Sequence, residues 1–375
     1  MGAVHVTLVR DRAGRSDFLR LPYRLHGGDA LWAPPLLRER RRFLDPAVNP
    51  FFEFGEAELF VAYRGGRPVG RIAALVNHRH NELHDPGAGF FGLFDVVDDV
   101  KVAQRLLDAA AGWLRDRGKG AMLGPTNFTV NHESGVLVDG FDRPQCFLTP
   151  YNPRYYPALV EAAGLTKAMD FYTWHGPVLP EIPASMVRAA EWAARRSGVR
   201  VRTVRMGDFA AELRLFRDIY NAAWSGNWGF TPMTDRQVAY LTRELRSVVR
   251  PELLLVAEVG DEPAGMELVV PDICVALRAA GGRLTRWGLP VGLLRMRQAA
   301  RRITHFRVLA AGVRPEHRRL GLDALMYAKM MRTAYRLGFR TFEMGPTLEN
   351  NQPIIRVAAR LGTRTKTYRI YHRRI

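Results

Sequence analysis

Four consecutive residues, Arg318-Arg319-Leu320-Gly321, carry the clearest chemical signal in this chain. They lie between an apolar run of buried-strand length, Phe306 to Val313, and a stretch where Leu322, Leu325, Met326, Met330, Ala334 and Leu337 recur at helical spacing. Pro315 ends the strand and Gly338 closes the helix. A strand feeding a basic, glycine-containing loop at a helix N-terminus predicts an anion site, because free backbone N–H groups and the helix dipole converge there. Three other clusters offer chemistry. Asn131-His132-Glu133-Ser134, within a polar insertion from Asn127 to Asn152, is dense in hydrogen-bonding groups. Trp224, Asn227, Trp228 and Phe230 form a Gly-rich aromatic loop before Pro232, either a satellite core or the lining of a ligand groove. Asn77-His78-Arg79-His80-Asn81-Glu82 with His84 gathers imidazoles, but a strand followed by a loop sets no ligand spacing, so a polar strand end facing a cleft is expected there and no metal.

The elements that must position these groups form a repeated pattern. Val4 to Val9 reads as a strand, Phe18 to Leu25 as a helix, and Leu36 to Leu44 as a short basic helix after the break at Trp32-Ala33-Pro34-Pro35. Glu58 to Asn77 reads as a hairpin turning at Gly65-Gly66, and Leu253 to Val270 mirrors it with a turn at Gly260-Asp261-Glu262-Pro263. Gly124-Pro125-Thr126 follows a helix, a glycine and a short strand, and so does Gly345-Pro346-Thr347 after the strand Thr341 to Met344. Residues 157–164 (PALVEAAG) parallel 355–362 (IRVAARLG), and each leads into a Tyr-containing strand. An internal duplication of one α/β unit is therefore expected, with domains 1–176 and 177–375 meeting in the Pro-rich linker from His175 to Pro183. The copies differ at the helix start: Asp95, Asp98 and Asp99 in one, Arg314, Arg318 and Arg319 in the other. Acids there repel phosphate, so only the second copy is expected to hold a pyrophosphate.

The chain has 375 residues and a formal charge of +18, with only five lysines among its 55 basic residues. No apolar run approaches the roughly 20 residues that span a bilayer, and the N-terminus lacks a secretory apolar core, so a cytoplasmic protein is expected. Cys146 and Cys274 are far apart, without metal-ligand spacing, and read as buried small hydrophobes. From Ile273 to Arg307 there are eight arginines and no acid. Within residues 276–302, Leu284, Trp287, Leu289, Leu293, Leu294 and Met296 interleave with Arg283, Arg286, Arg295, Arg297 and neighbouring arginines. That segment is either an Arg-faced helix packed on the sheet or an interfacial helix–loop–helix resting on anionic lipid at the inner face of the cell membrane.

From Val313-Arg314-Pro315 through Gly321, the following helix, and Asn351 eleven residues before Gly362, the chain resembles the GCN5-related N-acetyltransferase (GNAT) superfamily. The resemblance covers about one hundred residues well, and the repeat extends it to a mixed α/β (α+β) sheet in two tandem GNAT-like domains. It implies that Arg318, Arg319, Leu320, Gly321 and Leu322 bind the pyrophosphate of an acyl-CoA. It implies further that the pantetheine lies along Leu309, Ala311 and Val313, with Asn351 opening the next helix. Asp323 stands where the family has a small residue, and Ala358 where it often has a Tyr acid. Proton abstraction from the acceptor amine then falls to Glu349, six residues past Glu343, or to the His132-Glu133 pair of the other copy. Glu349 is equally a first-turn acid favouring a helix dipole, and His132 and Glu133 equally loop hydrogen-bonders. Asn127, Asn131, Trp224, Asn227 and Trp228 are the expected acceptor-binding residues.

The whole layout, with the GPT repeats, the LENN motif and the YRIY terminus, is similar to tandem GNAT-like bacterial proteins and to bacterial ceramide synthases, which N-acylate a sphingoid base from acyl-CoA. The resemblance implies an acyl-CoA N-acyltransferase acting on a lipid-like amine with a long-chain donor. The alternatives are transfer from acetyl-CoA to a small amine or aminoacyl group, and a non-catalytic lipid or nucleic-acid binder. No recognised nucleic-acid motif supports a nucleic-acid partner.

Overall fold

The structure, a computed structural model, describes residues 2–130, 132–195 and 198–375. The chain opens with β1 (Val4–Leu8), α1 (Arg12–Leu25) and α2 (Leu37–Phe43). The hairpin β2 (Gly55–Arg64) and β3 (Arg67–Asn77) follows, then α3 (His78–Leu83), β4 (Ala88–Val96), α4 (Val100–Arg115) and β5 (Ala121–Gly124). The short β6 (Val136–Asp139), α5 (Tyr156–Ala162) and β7 (Thr166–Pro177) complete the first run. The second begins with α6 (Ala184–Ala194), β8 (Val199–Thr203), α7 (Phe209–Trp224) and α8 (Asp235–Leu245). Its hairpin is β9 (Leu254–Val259) and β10 (Glu262–Pro271), followed by α9 (Cys274–Ala280) and α10 (Val291–Ala300). It ends with β11 (His305–Val313), α11 (Leu322–Arg336), β12 (Thr341–Leu348), α12 (Gln352–Leu361) and β13 (Thr363–Arg374).

Among the described residues all these strands join one sheet, in the order β1-β2-β3-β4-β5-β13-β7-β12-β11-β10-β9-β8, with β6 pairing beside β13. β4 runs parallel to β5 and β11 parallel to β12, and the other pairs are antiparallel. The two runs meet by exchange, because β13 of the second pairs with β5 of the first while β7 of the first pairs with β12 of the second. β7 and β13 pair with each other from Thr363 opposite His175 to His372 opposite Thr166.

Strands buried on both faces explain the apolar runs in the sequence. Along β9, Leu254 and Val256 pack under α7 with Phe209, Leu213, Phe216 and Tyr220, while Leu255 and Ala257 pack under α11 with Leu322, Met326 and Met330. The first run repeats this, with Ile72 and Ala74 under α4 and Ala73 and Leu75 under α1. So α1, α2, α7 and α8 lie on one sheet face, and α4 and α11 on the other.

Three sequence expectations need correction. The histidine cluster is the helix α3 rather than a strand end and loop, because Asn77 caps it by accepting the His80 N–H at 3.0 Å. The polar insertion contains β6, whose Val136 and Leu137 are buried. The strand expected to end at Met344 continues to Leu348 by changing partner from β11 to β7.

Candidate active site

β11 and β12 pair only from His305–Thr341 to Val308–Met344 and then diverge as β12 turns to β7. Leu309 bulges out of the ladder with β10, which pairs Val308 with Val269 and Ala310 with Leu268. The edge from Leu309 through Ala311 to Val313 therefore has no strand beside it in the mouth of a V. Beyond it, Pro315–His317 form a single 3₁₀ turn, and Arg318, Arg319 and Leu320 lead to Gly321, the N-cap of α11. Gly321 has φ 70°, a left-handed conformation natural to glycine, and no side chain caps the helix. Leu322 is buried and pins the first turn, while Arg319 and Asp323 are exposed. The Arg318 guanidinium donates to the Ala223 carbonyl at 2.8 Å, and the Trp224 indole N–H to the Ala311 carbonyl at 3.3 Å. The end of α7 thus rests on the open edge.

The corresponding V of the first run is closed. The Asn127 carboxamide accepts the Leu93 N–H at 2.8 Å, and the Thr126 N–H reaches the Phe91 carbonyl at 2.7 Å. Asp99 caps α4 by accepting the N–H groups of Lys101 and Val102. Among the described residues, the second run differs in leaving its helix terminus without a side-chain cap and its strand edge without a partner strand, with Trp224 bonded to Ala311 on that edge.

A cavity of about 780 Å³ lies on the face that carries α1, α2 and α8. Its walls are mostly aromatic and aliphatic, including Tyr23, Trp32, Phe94, Tyr151, Tyr240 and Leu277. Charged and polar groups enter it as well, among them Glu39, Arg40, Arg71, Asp95, His132 and Glu133. Glu133 pairs with Arg40 and accepts the Asn127 amide at 2.8 Å; burial alone would push its carboxyl up, but Arg40 outweighs this and holds it below the usual range. His132 packs against the Phe43 ring with Nδ1 2.9 Å from the Thr129 hydroxyl, and burial pushes its imidazole down to about 4. His132 is therefore neutral at neutral pH. Nearby, His26 bonds Asp95 at 2.8 Å, and the Arg71 guanidinium holds the other Asp95 oxygen at 2.7 Å.

The expected site residues fall into three places. His132, Glu133 and Asn127 converge at the cavity, and Leu309 to Leu322 gather with Trp224 at the open V. Glu349 stands elsewhere, accepting the Asp170 N–H at 3.1 Å and the Lys167 ammonium at 2.6 Å. Trp228 is near that third place, packed on Phe171 and Leu348, while Asn227 holds the turn between them by bonding the Trp224 carbonyl. Asn351 caps α12 through the Ile354 N–H. Asn131 lies outside the described residues. In α3, burial pushes His80 down to about 4, and His84 bonds the Phe230 carbonyl at 2.7 Å, tying α3 to the aromatic loop.

A further polar group went unassigned in the sequence. At the crotch of the V, the buried Arg307 donates to the carbonyls of Phe147 and Gly345. Glu343 is its neighbour on β12, facing His175 across to β7 and the buried Lys366 ammonium 4.0 Å away. The signal was a charged residue inside each apolar strand, FRVLAAGV and TFEMGPTL, which implies a buried partner. Beside it, Cys146, Asp272 and His305 bring potential ligand atoms within 4.8 Å of one another. Burial pushes the Cys146 thiol well up, and Asp272 is already engaged by the N–H groups of Phe147 and Cys274. No helix among the described residues is long and apolar enough to cross a membrane.

No family model matches the chain. It is 33% identical over 371 residues to the bacterial ceramide synthase of Caulobacter vibrioides (strain NA1000 / CB15N), covering 97% of this chain and 96% of that protein. It is 31% identical over 384 residues to protein YghO of Escherichia coli (strain K12), covering 98% and 95%. Among solved structures, a tandem GNAT protein from the clavulanic acid biosynthesis pathway superposes with a TM-score of 0.55 at 15% identity, covering 99% and 98% of the two chains. A GCN5-related N-acetyltransferase from Sphaerobacter thermophilus gives 0.52 at 16%, covering 99% and 95%. The structural matches establish the fold as two GNAT domains in one chain. With identity to the ceramide synthase running the full length of that fold, the chain belongs to the tandem-GNAT family of N-acyltransferases that includes the bacterial ceramide synthase.

Proposed function

We propose that this N-acyltransferase moves a long-chain acyl group from CoA to a lipid-like amine, a sphingoid base in the first instance. The cavity carries the reading: about 780 Å³ of mostly apolar space between the two domains suits a hydrocarbon chain better than a small polar amine. The name of the ceramide synthase relative supports it. In this reading the domain of residues 1–176 supplies most of the cavity wall, and that of 177–375 holds the donor. In this reading the protein works at the inner face of the membrane, in contact through residues 276–302, whose arginines and exposed leucines support that contact.

The residues at the V fit an acyl-CoA. The uncapped N-terminus of α11 offers N–H groups to a pyrophosphate, with Arg318 and Arg319 adding charge, and the Leu309–Val313 edge offers backbone groups to the pantetheine amides. When bound, acyl-CoA supplies a thioester carbonyl carbon at which a C–N bond forms as the C–S bond breaks. In this reading a backbone N–H at the Leu309 bulge, where the ladder with β10 is interrupted, steadies the developing oxyanion. His132 is the group we assign to take the amine proton, since it is neutral and its Nδ1 is engaged by Thr129, which leaves Nε2 for a ligand. Arg40 and Asn127 keep Glu133 ionised beside it, as one half of an ion pair whose carboxylate can also accept a hydrogen bond from an entering amine.

The test is N-acylation by the purified protein of sphinganine and of a small primary amine, each with palmitoyl-CoA and acetyl-CoA, followed by mass spectrometry. N-palmitoyl sphinganine as the dominant product is expected. Acetylation of the small amine at equal or higher kcat/KM would overturn the acceptor and donor classes together.

A further inference from the structure

Residues 285–290 form a tip that is exposed throughout among the described residues. Arg286 and Leu289 bond each other in both directions at 2.9 Å, closing a two-residue turn of Trp287 and Gly288. Trp287 has φ 50° and Gly288 φ 78°, so a bulky indole occupies a left-handed position that favours glycine or asparagine. It is 91% exposed and repays that conformation with no packing. Leu289 and Leu294 are 61% and 60% exposed beside it. Arg283, Arg286, Arg295, Arg297, Arg301 and Arg302 are exposed around them, and none forms an ion pair with an acid among the described residues. An exposed tryptophan between leucines, ringed by unpaired guanidinium groups, is complementary to the headgroup region of an anionic bilayer.

The other side of the same segment is the cavity. Leu277 of α9, Met296 and Ala300 of α10, and Ile303 line it. The segment is a fixed part of the fold: Ala33 and Leu36 pack on Cys274, Leu277 and Ala280, and the Leu37 N–H bonds the Gly282 carbonyl at 3.0 Å. At the start of α10, a Cβ on Gly292 would meet the Arg283 carbonyl oxygen at 1.8 Å, so helix and loop are in backbone contact. The same segment thus carries both the exposed apolar tip and residues of the cavity wall.

We infer that the α9–α10 segment is a membrane foot that doubles as a substrate gate, inserting Trp287, Leu289 and Leu294 into an anionic leaflet so that the amine acceptor passes from bilayer to cavity beside α10. The inference rests on the lipid-like acceptor proposed above. A chain drawn directly from the leaflet never crosses water, which suits an acceptor with little aqueous solubility.

The experiment uses the full-length protein and the variants Trp287→Ala and Trp287→Ala/Leu289→Ser, whose sites are exposed and outside the cavity. Binding is read by co-sedimentation with phosphatidylcholine vesicles, with and without phosphatidylglycerol, across a salt series. Turnover is read on sphinganine held in those vesicles and on a short-chain amine in solution. The native protein is expected to bind anionic vesicles in a salt-sensitive way. Trp287→Ala should weaken binding by about tenfold or more, as loss of one buried aromatic anchor would. Turnover on vesicle-borne sphinganine should fall in parallel, and turnover on the soluble amine should hold. No binding to anionic vesicles at low salt would overturn the foot. Lost binding with unchanged turnover on vesicle-borne sphinganine would overturn the gate. Normal vesicle binding with no long-chain amine acylated in any presentation would sink the acceptor assignment while leaving the foot standing.

Discussion

An acceptor amine must lose a proton, and the side chains considered for that task differ in their freedom to accept one. His132 is held neutral by burial, with one ring nitrogen engaged by Thr129. Replacing it with Gln should lower kcat by about 10²- to 10⁴-fold and leave KM for acyl-CoA unchanged in steady-state kinetics. Glu349 has both oxygens occupied, by the Asp170 N–H and the Lys167 ammonium. Glu349→Gln should keep near-normal turnover and lose about 1 kcal/mol of stability in denaturant unfolding; a kcat loss matching that of His132→Gln would instead make Glu349 the base. Glu267, buried in β10 beneath α11 near Asp323 and Tyr327, is pushed up to about 8, by burial first and then by Asp323. Its folded pKa is raised, so its contribution to stability is fully present below the ordinary value of 4.5 and is lost as pH rises through 8, at up to about 1.4 kcal/mol per unit. Glu267→Gln should flatten that decline in a series of melting curves from acid to alkaline pH. Residue identities were legible beforehand, but their partners were not. Glu133 meets Arg40 from 93 positions away, and no local pattern announces such a pairing.

At the level of elements, α4 and α11 occupy matching places with opposite fittings at their N-termini. Asp99 fills the first, and Gly321 leaves the second bare. Arg318→Ala together with Arg319→Ala should raise KM for acyl-CoA by about 10- to 100-fold, most strongly at low salt, with kcat and the acceptor KM little changed. Asp99→Ala should leave all three constants as they are. The strand–loop–helix at residues 306–338 could be read in advance because apolar period, proline, glycine and arginine agree there. α3 could not, because its six residues carry no helical period and its existence depends on a cap from Asn77. β6 was hidden for a related reason: Val136 to Asp139 is four residues long, and what makes it a strand is β13, more than two hundred positions later.

For the molecule as a whole, the duplication was visible in the Gly-Pro-Thr tripeptides, both of which carry a cis Gly–Pro bond, and in the paired hairpins. The exchange of β7 and β13 was not, since each would read identically as a strand of its own half. Cleaving an engineered protease site within residues 178–183 should leave two fragments that elute together in size-exclusion chromatography until denaturant is added. Separation under native conditions would contradict the ladder between β7 and β12. The exchange also says what a half-length version of this chain would do. Expressed alone, residues 177–375 would present the bare edge of β12 where β7 now lies, together with a free β13 that fits such an edge. Its simplest repair is a second copy, each lending its last strand to the other. The full-length protein thus has the strand pairing of two such halves swapped and joined in one polypeptide, and in the function proposed above the first half serves as a wall for the site of the second.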